Sequence, residues 1–232
     1  MAEVRRGREE REGYEREERG REGLRERKKR RTRQLISDTA TGLFVERGFD
    51  AVTIAEVAEA ADVSVNTVYN YFATKEDLFL DRGDDLVEQL SRWVRGRDVG
   101  ESAAAAVLRE LRAEVEAVSP RVGLAPGQER FLLVVQDAAT LRAGLARLQQ
   151  RAVERLEETL REETAAAPDD PLPALVAGQI DWIHQSVTDA VRRGMMAGRA
   201  PGDVSRDTLG VVDEIEELLG ERVLNYAVRA SG

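Results

Sequence analysis

Small and apolar side chains recur in adjacent pairs early in the chain: Leu35-Ile36, Thr39-Ala40 and Leu43-Phe44. This is the spacing of a helix that buries one face. Gly48 stands at its C′ position and Phe49 covers the end. A second helix is predicted from Ile54. Thr53 and Glu56 have capping-box spacing, and Val52 and Val57 occupy the two positions of a hydrophobic staple. Ile54, Val57, Ala58 and Ala61 give it a small buried face, and the pattern fails at Asp62-Val63. Ser64 then caps a further short helix, with Val63 and Val68 again at staple spacing. Two brief helices joined by a turn of three to four residues make a helix-turn-helix.

The second of these helices carries the chemistry. Val68 and Phe72, four residues apart, point inward, which leaves Asn66 and Asn70 together on the opposite face with Tyr69 beside them. An Asn amide can pair with adenine N6 and N7 in the major groove, and Ser and Tyr hydroxyls reach phosphate oxygens. Thr74 caps a third short helix, with Asp77 at its N3 position. Lys75 lies in its first turn, where an ammonium and free backbone N–H groups suit a phosphate.

Charge sharpens this reading. The chain of 232 residues carries a formal net charge of −9, which argues against non-specific nucleic-acid binding. The charge is unevenly placed, however. Residues 1–33 hold fourteen Lys and Arg against nine Glu, whereas the remaining 199 residues hold 21 basic against 35 acidic groups. Seven of the nine residues from Arg25 to Arg33 are basic, Arg30 and Arg31 among them. A basic end on an acidic body suits a protein that offers one end to DNA. Residues 1–23 are low-complexity Arg, Glu and Gly; without an apolar stripe, and with four glycines, the balance favours a frayed arm, with an extension of the first helix as the alternative.

At these residues the chain resembles the TetR family of bacterial transcriptional regulators. The resemblance runs over Leu24–Leu80 and is carried by TRQLISDTATGLFVERGFDAVTIAEVAEAADVSVNTVYNYFATKEDLFL. It implies an all-α fold, in which a three-helix DNA-binding head (24–80) precedes a helical domain (81–232) that binds a small effector and dimerises. It implies that Thr53, Ser64, Thr67, Tyr69, Tyr71 and Lys75 hold the DNA backbone, and that Val65, Asn66 and Asn70 sit where bases are read. By majority it implies a repressor. The sequence departs from the pattern at two places. Many relatives have Gly where Asp62 stands, and a Lys-Gly or similar pair where this chain has Val65-Asn66, so base preference is not inherited.

The body shows helical periodicity near 75–96, 102–118, 128–138, 141–165, 172–197 and 205–229, and no strand pattern. Thr140 is read as a cap, and Pro171 with Pro173 as a helix start. Val212, Ile215, Leu219 and Tyr226 line one side of the last helix. The resemblance implies a homodimer through the last two helices; the stripe itself fits an internal core face equally well. Trp93, Phe131 and Trp182, with Gln136, Asp181 and His184, are candidates for an effector pocket suited to an aliphatic or amphipathic molecule, or are simply core.

Catalysis is a poor reading. His184 is the single histidine, cysteine is absent, and neither GxSxG, HExxH, Walker A nor GxGxxG occurs. No cofactor or metal is expected. Without an apolar leader or a spanning run, the chain is expected in the cytoplasm and off the membrane. The rival from another class is a non-catalytic helical scaffold that grips an acidic protein through the charged arm.

Overall fold

The computed structural model describes the backbone of residues 2–81 and 83–230, and the side chains of residues 25–81 and 83–230. The fold is all-α: among the described residues there is no strand. None of the described helices is long and apolar enough to cross a membrane. The chain divides into two compact units, Met1–Phe79 and Leu80–Gly232.

The first unit contains α1 (Ala2–Arg47), α2 (Ile54–Ala60), α3 (Val65–Tyr71) and α4 (Lys75–Phe79). Helix α1 buries Ile36, Ala40 and Phe44, as the pairing predicts. Leu35 is the exception and is exposed. Neighbouring helical positions differ by about 100°, which turns Leu35 out on the side opposite Ser37, while Ile36 and Ser37 are buried together. Gly48 ends the helix at φ +89°, a conformation that costs any side chain bearing a Cβ. Its N–H donates to the Phe44 carbonyl at 2.8 Å. Phe44, Phe49 and Phe79 then stack as a trio, with ring centroids 5.0–6.4 Å apart.

The arm does not fray in this structure: α1 continues back to Ala2. The glycine penalty is real, but Arg and Glu are good helix formers. Once residues 25–47 have nucleated a helix, extension needs only propagation.

The second unit contains α5 (Gly83–Arg95), α6 (Ala103–Glu116), α7 (Gln128–Asp137), α8 (Ala139–Thr164), α9 (Leu172–Met196), α10 (Pro201–Leu218) and α11 (Glu221–Leu224). Helix α8 packs against α5 and α9, and α6 against α10 and α9. Their shared core includes Leu111, Leu156, Leu160, Ile180, Ile183 and Val187.

Several boundaries differ from the sequence expectation. The helix expected over 75–96 is two helices, α4 and α5. The one expected over 205–229 begins at Pro201, a residue suited to a first helical turn, and ends where Leu219 and Gly220 become extended. Thr140 does not cap α8, whose N-cap is Ala138 without a side-chain bond. The stripe of the last helix is also reassigned. Val212 and Ile215 are buried in the chain's own core, with Leu219 and Tyr226 partly buried against it. Val212 and Ile215 are thus satisfied within one subunit, the internal-core alternative, while Leu219 and Tyr226 keep part of their surface exposed.

A strap closes the second unit. Gly100 N–H donates to Arg229 O at 2.9 Å, Arg229 N–H to Glu101 O at 3.0 Å, and Ala103 N–H to Tyr226 O at 3.2 Å. Beneath it, Arg97 is buried. Its Nε donates to Ala227 O at 2.9 Å, its Nη1 to Val94 O at 2.6 Å, and its Nη2 pairs with Glu163 at 2.8 Å.

Candidate nucleic-acid interface and effector cavity

The helix-turn-helix is held by its caps. Thr53 accepts from Glu56 N–H at 3.3 Å, and the Glu56 carboxylate accepts both the Thr53 N–H and its hydroxyl at 2.8 Å. The bonds from Thr53 hold the Glu56 carboxyl below the usual carboxylate range. Ser64 accepts from Thr67 N–H at 3.0 Å, and the two hydroxyls share a further bond at 2.8 Å. The turn between the helices places Asp62 at φ +53°. Asp tolerates this left-handed geometry, so the departure from Gly costs little.

With Val68 and Phe72 buried, the far side of α3 faces solvent: Val65, Asn66, Tyr69 and Asn70 are exposed, Tyr69 to 55%. Thr53 and Ser64 are exposed at the two helix starts, Thr67 is partly exposed, and Arg30 and Arg31 are exposed on α1. Tyr71 is half-buried; its carbonyl accepts from Arg33 Nη1 at 3.1 Å, and the Arg33 guanidinium lies 4.6 Å above the Phe72 ring. The α3 face is therefore an uncovered, mostly polar surface on a helix anchored from its inner side by Val68 and Phe72.

Lys75 makes contacts that the sequence did not announce. Its Nζ donates to the Phe49 carbonyl and lies 4.5 Å from the Phe49 ring centroid and 5.5 Å from that of Phe44. Desolvation holds its pKa below the ordinary lysine value. In the absence of DNA the part-buried ammonium turns toward the Phe49 carbonyl and the rings of Phe44 and Phe49. The attraction of two aromatic faces and a carbonyl outweighs the pull of solvent on a flexible stem.

In the second unit a cavity of about 430 Å³ opens between α5, α7, α8 and α9. Its apolar wall is built from Leu86, Leu90, Leu132, Leu145, Leu148 and Ala152. Asp181 and His184 line it, as the sequence suggested. Trp93, Phe131, Gln136 and Trp182 do not: Trp93 packs against His184 with its ring tilted by 59° and centroids 6.4 Å apart, and Trp182 lies on the outer side of α9, 44% exposed. Burial depresses the His184 pKa below the ordinary imidazole value, against the opposing effect of Asp181.

Sequence reasoning missed the polar part of the wall, among it Arg121, Gln149, Gln185, Thr188, Asp189 and Arg192. The signal was present on α9, where 181, 184, 185, 188 and 192 repeat at helical spacing with polar side chains. A polar stripe reads as solvated surface until a neighbouring helix is known to face it.

Comparison with known proteins agrees with this architecture. Residues 36–81 match the model of the bacterial regulatory proteins of the tetR family. The transcriptional regulator TcmR of Streptomyces glaucescens is 34% identical over 91 residues, 39% of this chain and 40% of that protein. LuxR of Vibrio harveyi is 39% identical over 62 residues, 27% of this chain and 30% of that protein. The chain therefore matches well under half the length of these relatives. The crystal structure of NalD from Pseudomonas aeruginosa superposes with a TM-score of 0.52 at 20% identity, covering 80% of this chain and 96% of that one. At that identity the likeness speaks for the fold. Residues 36–81 thus form a helix-turn-helix head of the kind that defines the tetR family of bacterial regulatory proteins.

Proposed function

We propose that this chain regulates transcription by binding a double-stranded DNA operator as a homodimer, and that it represses until a small-molecule effector releases it. The observation that carries this reading is the exposed face of α3, with Val65, Asn66, Tyr69 and Asn70 outward on a helix locked by Val68 and Phe72. In the proposal Asn66 and Asn70 read base edges in the major groove, with Val65 beside them. Thr53, Ser64, Thr67, Tyr69 and Tyr71 hold the sugar-phosphate backbone, and Arg30 and Arg31 add phosphate contacts. Lys75 is left out of this set because its ammonium is engaged by Phe49.

Dimerisation is assigned to the outer faces of α9 and α10, where Leu175, Trp182 and Leu218 are exposed apolar side chains. A two-fold dimer offers two α3 helices to half-sites spaced by whole turns of DNA, about 34–36 Å or multiples of it. The cavity of the second unit receives an amphipathic effector. An effector that binds the DNA-incompetent state better by about 1–3 kcal/mol lowers operator affinity 5- to 150-fold. Operator binding places the protein in the cytoplasm, and no catalytic step is assigned to it.

Footprinting on the DNA upstream of the chain's own gene tests the reading. The expected result is a two-fold symmetric protected site, formed as a discrete, salt-sensitive and competitor-resistant complex. Absence of such a complex would reject the regulator reading in favour of a protein-binding scaffold.

A further inference from the structure

The cavity's charge pattern identifies the class of molecule it takes; this inference rests on the effector reading above. Four charged side chains line the cavity, and three of them are neutralised. Arg192 pairs with Asp189 at 3.0 Å, and Arg121 with Glu114 at 3.2 Å. Asp181 is the fourth. Its carboxylate accepts from two glutamine amides, Gln149 at 3.3 Å and Gln185 at 3.4 Å, and among the described residues no Lys or Arg lies within ion-pairing distance of it. A carboxylate at a cavity wall that has neutral donors but no counter-ion attracts a cation and repels an anion entering beside it.

The nearest titratable group does not supply that cation. His184 is pushed toward the neutral form by burial, with its ring packed on Trp93. Arg192 lies eleven residues further along α9, about 16 Å along a helix axis, and is already paired. The Leu-rich wall of α5, α7 and α8 then requires an apolar body attached to the charge.

We propose that the cavity selects a cationic amphipathic molecule, a protonated or quaternary amine on an apolar body, with its nitrogen at Asp181 and its body along Leu86, Leu145 and Leu148. An anionic head group would meet Asp181 directly, and at the far end would have to displace carboxylates already seated on Arg121 and Arg192. A neutral head group would leave the Asp181 charge without a counter-ion.

The test uses the unsubstituted full chain. Decyltrimethylammonium, decanol and decanoate share one apolar tail and are titrated below their micellar ranges at pH 7.5, followed by calorimetry. The expected result is saturable binding of one decyltrimethylammonium per chain, at least tenfold tighter than either other probe. Asp181→Asn is expected to abolish that preference while retaining decanol binding. Equal or tighter binding of decanoate or decanol, or a cation preference that survives Asp181→Asn, overturns the cation assignment while leaving the cavity as an effector site. No saturable binding of any probe overturns the cavity reading itself. The comparison of the three probes on the unsubstituted cavity stands even where Asp181→Asn fails to fold.

Discussion

Arg97 offers the sharpest test of how the second unit is held together. Its side chain is 2% exposed and makes three separate bonds, to Val94 O, Ala227 O and Glu163. Substitution by Met keeps the length and apolar stem but removes every donor. Two carbonyls lose a charged donor, each bond being worth about 1.5–3 kcal/mol, and Glu163 loses its counter-charge. Breaking a buried pair by removing one partner costs about 3–5 kcal/mol. The Glu163 side chain is 32% exposed and can rehydrate, which places Arg97→Met at about 3 kcal/mol. For a unit of this size that corresponds to a fall of roughly 6–12 °C in Tm. Urea and thermal unfolding followed by circular dichroism give the loss. A cycle with Glu163→Gln separates the ion pair from the two carbonyl bonds, and carboxypeptidase digestion should become faster as the 226–229 strap loosens. A variant within 1 kcal/mol of the parent, with unchanged digestion, would show that the strap and core hold without the guanidinium.

Three further outcomes follow from the same structure. Lys75→Met should lower the stability of the head by about 1–2 kcal/mol, through loss of a charged hydrogen bond and two ring contacts partly offset by relief of desolvation, and leave the salt dependence of operator binding unchanged. A salt slope flattened by about 0.9 would instead show that the ammonium leaves Phe49 for a phosphate on DNA. Asn70→Ala should cost about 1–3 kcal/mol of discrimination at one base pair in competition gel shifts, and an unchanged site preference would remove Asn70 from base reading. Ala165→Gly should stabilise the chain by about 0.5–1 kcal/mol, because this exposed residue ends α8 at φ +49° with its N–H bonded to Arg161 and Glu162 carbonyls. A loss of stability on chemical denaturation would contradict that account.

Much of the head was legible because its determinants are local. The Thr53–Glu56 box, the Ser64 cap, the two valine staples and the Gly48 stop each act within five residues, so spacing along the chain is enough to find them. The outward face of α3 follows from Val68 and Phe72 in the same way. The contacts of Lys75 were not legible, because its partners, Phe44 and Phe49, lie 31 and 26 residues away; nothing local announces that an ammonium at a helix start will fold back over aromatic rings.

In the body the sequence by itself determined helix content, the proline-led start of α9 and the presence of apolar stripes. Only tertiary structure decided what each stripe faces. Val212 and Ile215 suited a partner subunit and an internal core equally well, because the periodicity of a helix reports that a face is buried and not what buries it. Asp181 and His184 could be named from sequence, but their companions from α5 and α8 could not. A cavity is space that packing leaves between elements distant in sequence, and its charge balance depends on which cations those elements bring within a few ångströms of a carboxylate.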